Sequence, residues 1–174
     1  MGEIGGDKGD TFSATSAFQD VHYITARPSL IANMRKADLV ICSGAGLESG
    51  WLPLLMQKTG KTKAIMAASY VKTLDVPSVI DRSEGDVHPE GNPHIHLNPY
   101  NLLNISGVVL AELTKVDGEN KAYYEQKHAN FKKKFEGKIK EWESKAQVLN
   151  GANMMSKHKN FTYLFNWLKI NNVG

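Results

Sequence analysis

Short apolar runs alternate along this chain with stretches of helical periodicity, a pattern that predicts an α/β layer structure rather than a bundle or a sandwich. TFSATSAF predicts a strand. PSLIANMRKA reads as a helix opened by Pro28 and Ser29, because the first helical position leaves its N–H unbonded and so suits proline. DLVICSG follows at once with the unbroken apolar pattern of a buried strand. LESGWLPLLMQKTG predicts a second helix, broken at Pro53 and ended by Gly60, and KAIMAAS predicts the next strand. Residues 74–93 are rich in Asp, Gly, Pro and His and read as an irregular loop. NPHIHLNP predicts a short extended piece, and NLLNISGVVLAELTKV an apolar helix.

The longest periodic segment covers residues 119–149. Tyr124, Phe131, Phe135, Ile139 and Trp142 recur at helical spacings and form one apolar stripe. At a rise of ~1.5 Å per residue such a helix reaches about 45 Å, longer than a small domain is wide, which suits a connection between two lobes. Beyond NGAN, MMSKHKNFTYLFNWLKI predicts a strand end and then an amphipathic helix. No internal repeat or low-complexity tract interrupts the pattern.

Composition narrows the picture. With 174 residues the chain can bury one substantial core, or a domain and part of another. Its net charge of +3 comes from one place: eight Lys and five Glu lie between Glu119 and Lys145. That stretch is the periodic helix, and it has neither an Arg cluster nor interleaved aromatics, so it reads as a solvated face and not as a nucleic-acid patch. The single cysteine, Cys42, excludes an intrachain disulfide and a cysteine zinc knuckle; in ADLVICSG it reads as a buried, inert thiol. No apolar run approaches the ~20 residues that cross a bilayer, and the polar opening MGEIGGDKGD is not a signal peptide. EIGGDKG reads as a helix end with its Gly-rich exit, and LKINNVG stops just after a helix. Both ends read as cut.

Chemistry concentrates in the six histidines, at 22, 88, 94, 96, 128 and 158. His94 and His96 lie two apart in the predicted extended piece, which puts both on one face. They would share a pocket, or one would ligate while the other hydrogen-bonds nearby; the plainer alternative is that His96 packs against its neighbours. Pro93 and Pro99 bracket and stiffen the segment. His22, beside Asp20, falls at a predicted strand-to-loop exit, where α/β sheets present ligand residues, and His158 has a comparable place before the final helix. His88 reads as solvent-exposed in its loop, and His128 as a surface residue on the polar side of the long helix. Three imidazoles at such exits suit a borderline-soft divalent ion, zinc before magnesium or calcium, although spacing alone does not establish that they converge. Other chemistry is weakly signalled: GxSxG, HExxH and a phosphate loop are missing. Gly44, Gly46 and Gly50 do not have dinucleotide-loop spacing.

The order of these motifs resembles the ZnuA/TroA-like family, the periplasmic solute-binding proteins of zinc and manganese ABC importers. GGDK, DVHYITARPSLIANMRKADLVICSGAGLESGWLPLL, GDVHPEGNPHIHLNPYN, YYEQKHANFKKKFEGKIKEWE and HKNFTYLFNWL follow one another in family order and cover nearly the whole chain. The resemblance implies metal ligands at His22, in the family's D-P-H…P-S motif, at His94, the first His of its N-P-H motif, and at His158, ahead of the aromatic helix. A His at the third place is similar to the zinc-binding members. Val21, His96 and Asn98 depart from the family's Pro, Trp and Asp. The family's fourth ligand, an Asp or Glu of the second lobe, has no matching position here. The resemblance further implies a TroA-like fold: an N-terminal βα-repeat lobe with a parallel sheet over 1–118, lacking its first strand, a long linking helix over 119–149, and the start of a truncated second lobe over 150–174. Its function would be capture of Zn2+, with Mn2+ or Fe2+ as alternatives, by a periplasmic monomer that delivers the ion to an ABC permease and catalyses nothing. The rival class is a zinc hydrolase, for which only Asp20 or Glu48 would serve as the base.

Overall fold

The computed structural model describes residues 1–16, 18–61, 63–77 and 88–174. Ala17 of the predicted first strand and residues 78–87 of the predicted loop lie outside them. The chain opens with a one-turn helix, α1 (Gly2–Gly5), and a 3-10 turn (Gly6–Lys8), in line with the helix end and exit read from EIGGDKG. TFSATSAF is not a strand in its described residues. Its polar side chains bond locally instead: Ser13 Oγ donates to the Thr15 carbonyl, and Ser16 N–H donates to Gln19 Oε1. Such bonds offer the backbone an alternative to a ladder. Phe18, 99% exposed, finds no core to join.

Helix α2 (Pro28–Lys36) leads into strand β1 (Ile41–Cys42), helix α3 (Leu52–Thr59) and strand β2 (Ile65–Met66). The two strands pair in parallel, with Ile41 opposite Ile65 and Cys42 opposite Met66, so α3 is the crossover of a βα repeat. The ladder is short. After β1 the chain turns away at Gly44, whose φ is 82°, and after β2 it enters a 3-10 turn (Ala67–Tyr70). Pro53 opens α3 rather than breaking it, because it occupies the first turn, where no N–H is needed. Gly60 ends the helix in the left-handed region, φ 72° and ψ 12°, while Lys61 N–H reaches back to the Met56 carbonyl. Leu30 and Met34 from α2 and Leu52 and Leu55 from α3 close on Ile24 and Trp51 to form a first core.

Helix α4 (Pro99–Val116) packs against the long helix α5 (Lys121–Ala146), and α1 packs on both. Helix α5 is about 39 Å long at ~1.5 Å per residue. Of the predicted stripe, Tyr124 and Ile139 are buried, whereas Trp142 remains 39% exposed and stacks edge-on against Phe135. The lysines of α5 pair along the helix: Lys138 and Lys145 both reach Glu141 at 2.7 Å, and Lys121 faces Glu125. His128, read as a surface residue, is half-buried, with Nε2 3.0 Å from Ser106 Oγ on α4.

Strand β3 (Asn153–Met154), helix α6 (Thr162–Leu168) and strand β4 (Asn171–Asn172) complete the chain. The last residues therefore form a strand where LKINNVG reads as a bare helix exit, pairing in parallel with β3. Glu143 of α5 holds α6 in place: its Oε1 accepts from the Trp167 indole at 3.0 Å and from the Tyr100 hydroxyl at 2.9 Å. Among the described residues no helix is long and apolar enough to cross a membrane.

Candidate metal centre

His22 sits in a turn and not at the end of a strand. Its N–H donates to Asp20 Oδ1 at 3.0 Å, the Tyr23 N–H donates to the Asp20 carbonyl, and the Trp51 indole donates to the Val21 carbonyl. The first core thus anchors the turn through Trp51, while Ile24, two residues on, is buried beside it.

The segment carrying His94 is also not extended. A 3-10 turn (Ile95–Leu97) begins directly after His94, so His94 and His96 do not share one strand face, and His96 is exposed. Pro93, before His94, is fully buried, and its carbonyl accepts from Ser43 Oγ at 2.9 Å. Ser43 is held in turn by Glu48. Both carboxylate oxygens of this buried residue accept backbone N–H groups, Oε1 from Ser43 at 2.7 Å and Oε2 from Gly44 at 3.0 Å. Glu48 is a structural group that shapes the turn after β1. It also helps to push the neighbouring Cys42 thiol up to about 12, behind the larger effect of burial, which keeps that thiol protonated.

His158 lies on extended backbone immediately before a 3-10 turn (Lys159–Phe161) that runs into α6. From these three places the rings converge. One nitrogen each from His22, His94 and His158 lies within 4.8 Å of the others. His94 is central, with ring centroids 6.0 Å from His22 and 5.8 Å from His158, both edge-on. Its pKa is pushed down to about 4, first by burial and then by the charge that His96, His22, His158 and His88 would bring. At neutral pH His94 therefore presents an unprotonated imidazole, the form that ligates a metal.

His88 overturns its reading as a solvent-exposed residue. It is half-buried, stacked on His22 at 5.6 Å, and rests against Gly46, where an added Cβ would come 3.1 Å from its Nδ1. Nothing in its local sequence signals this, because the contact depends on the turn after β1. Asn92 is the other residue that local reading passes over as a turn former: 6% exposed, it donates its backbone N–H to the Leu74 carbonyl and accepts His94 N–H on Oδ1.

Residues 1–174 match the family described as "Zinc-uptake complex component A periplasmic". The chain belongs to that family. It is similar to the manganese ABC transporter substrate-binding lipoprotein PsaA of Streptococcus pneumoniae, 29% identical over 126 residues, which are 71% of this chain and 40% of PsaA. It is also 25% identical over 171 residues to the high-affinity zinc uptake system protein ZnuA of Bacillus subtilis, covering 91% of this chain and 51% of that protein. The chain therefore spans only about half the length of these curated relatives. A zinc-bound ZnuA deletion mutant superposes with a TM-score of 0.84 at 23% identity, over 99% of this chain and 63% of that one. A manganese-bound periplasmic metal-binding protein from Candidatus Liberibacter asiaticus gives 0.79 at 18% identity, over 99% and 62%. At those identities the likeness shows the fold: this is a ZnuA-type α/β arrangement.

Proposed function

We propose that this chain is part of an extracytoplasmic receptor that captures a divalent metal ion, zinc foremost, and delivers it to the permease of an ABC importer. One observation carries the reading: imidazole nitrogens of His22, His94 and His158 lie within 4.8 Å of one another in a chain of this family. Three imidazole nitrogens suit zinc and disfavour the oxygen-seeking magnesium and calcium, and on a given nitrogen set zinc binds more tightly than manganese or iron. Manganese is the second reading, because PsaA is a manganese transporter component. The cargo is held and not transformed. Of the two carboxylates the sequence offers as a hydrolase's base, Glu48 is buried with both oxygens taken by backbone N–H groups, and Asp20 accepts His22 N–H.

Calorimetric titration with zinc tests the proposal. His22→Ala, His94→Ala and His158→Ala should each weaken binding by more than the about 10–100-fold typical of changes around, rather than in, a metal's ligand set. Zinc should also displace manganese in competition. Unchanged zinc affinity in all three variants would sink the site.

A further inference from the structure

The two arms of the histidine cluster are far apart in the chain. His22 and His94 precede the long α5, and His158 follows it. Their relative position therefore depends on whatever ties the segment before His94 to the segment after His158. Within the described residues the side chain of Asn92 spans that gap. Its Oδ1 accepts His94 N–H at 3.0 Å, while its Nδ2 donates to the carbonyl of Lys159, the residue after His158, and to Asp75 Oδ2 at 3.0 Å. The orientation of this amide is forced, since His94 N–H can only donate and the carbonyl and carboxylate can only accept. Neighbouring groups brace the link. Thr162 Oγ1 of α6 also donates to Asp75 Oδ2, and the Tyr163 hydroxyl donates to the Asn92 carbonyl while accepting Leu74 N–H. Tyr163 and Asn92 are both buried, so water competes little for the bond between them.

We infer that Asn92 is a positioning residue for the metal site, whose one side chain sets the distance between the His94 and His158 arms. The inference rests on the metal-binding reading above. It makes a demand that general stabilisation does not: Asn92 should matter for zinc only while His158 is there to be positioned. Asn92→Asp is the sharpest probe. It keeps the acceptor for His94 N–H but sets a carboxylate oxygen against the Lys159 carbonyl and Asp75.

The experiment is a double-mutant cycle on zinc affinity, read by chelator competition, with the visible absorption of bound Co2+ as a second readout. Asn92→Asp should weaken zinc by about 10–100-fold alone, yet change it little in a His158→Ala background. Its Co2+ spectrum should shift towards that of His158→Ala. Asn92→Ser, able to accept from His94 N–H but too short to reach Lys159, should behave alike if the aspartate variant does not fold. Equal losses in both backgrounds, or wild-type affinity and spectrum for a folded variant, overturn the inference. His94→Ala, run alongside, separates the two ideas: if it abolishes zinc binding while Asn92→Asp does nothing, only the positioning role fails. If His94→Ala also binds normally, the metal site itself fails.

Discussion

His94 shows how a single residue can be legible in part. The N-P-H motif marks it as a candidate, and the prolines on either side mark its segment as stiff. What the motif does not carry is the burial, and after it the company of other rings, that lowers its pKa to about 4. That shift has a thermodynamic sign. In the unfolded chain an imidazole takes its proton near about 6.5, whereas the folded protein resists doing so down to about 4. Between those values the unfolded state binds more protons, so stability is fully present above the window and falls as pH drops through it. Metal-free protein should therefore lose denaturant resistance on acidification across that range, and His94→Gln should flatten the slope. Equal slopes in the two proteins would show that His94 is not the group responsible. The local sequence of His88 and of His128 misleads for one reason. Each is turned inward by a partner distant in sequence, His22 and Ser106 respectively.

Among the elements, helices were the most legible. Pro28 and Gly60 mark real ends, because proline at a first turn and glycine in the left-handed region act through local geometry alone. Gly60 offers a clean test. A Cβ there meets no atom within 4 Å, so Gly60→Ala would act only through backbone strain at φ 72°. It should cost about 1 kcal/mol in urea unfolding. An unchanged midpoint would mean that the end of α3 relaxes freely. Strands were less legible, since a ladder needs a partner that local pattern does not name. TFSATSAF forms no strand among its described residues, and NPHIHLNP, read as extended, winds into a 3-10 turn next to α4. The polar NNVG tail forms a strand because Ala152 and Met154 supply acceptors for its N–H groups.

At the scale of the whole molecule, ligands from both sides of α5 would make a bound ion a cross-link within the fold. Zinc should stabilise the protein by about 2.7 kcal/mol at a free concentration of ~100 times its Kd. A thermal melt should register this as a rise that a chelator reverses and that His158→Ala largely removes. A rise that survives in His158→Ala would place the ion elsewhere. The order of motifs, the helical periodicities and the family resemblance all lie in the sequence, because they depend on residue identity and on spacing within one or two turns. Whether His22, His94 and His158 meet depends instead on Trp51 gripping the Val21 turn, on Glu48 shaping the loop after β1, and on Asn92 reaching from His94 to Lys159. Those contacts join residues up to 67 positions apart. Only the folded chain brings them within hydrogen-bond range, so tertiary structure alone decided that three scattered histidines face a common point.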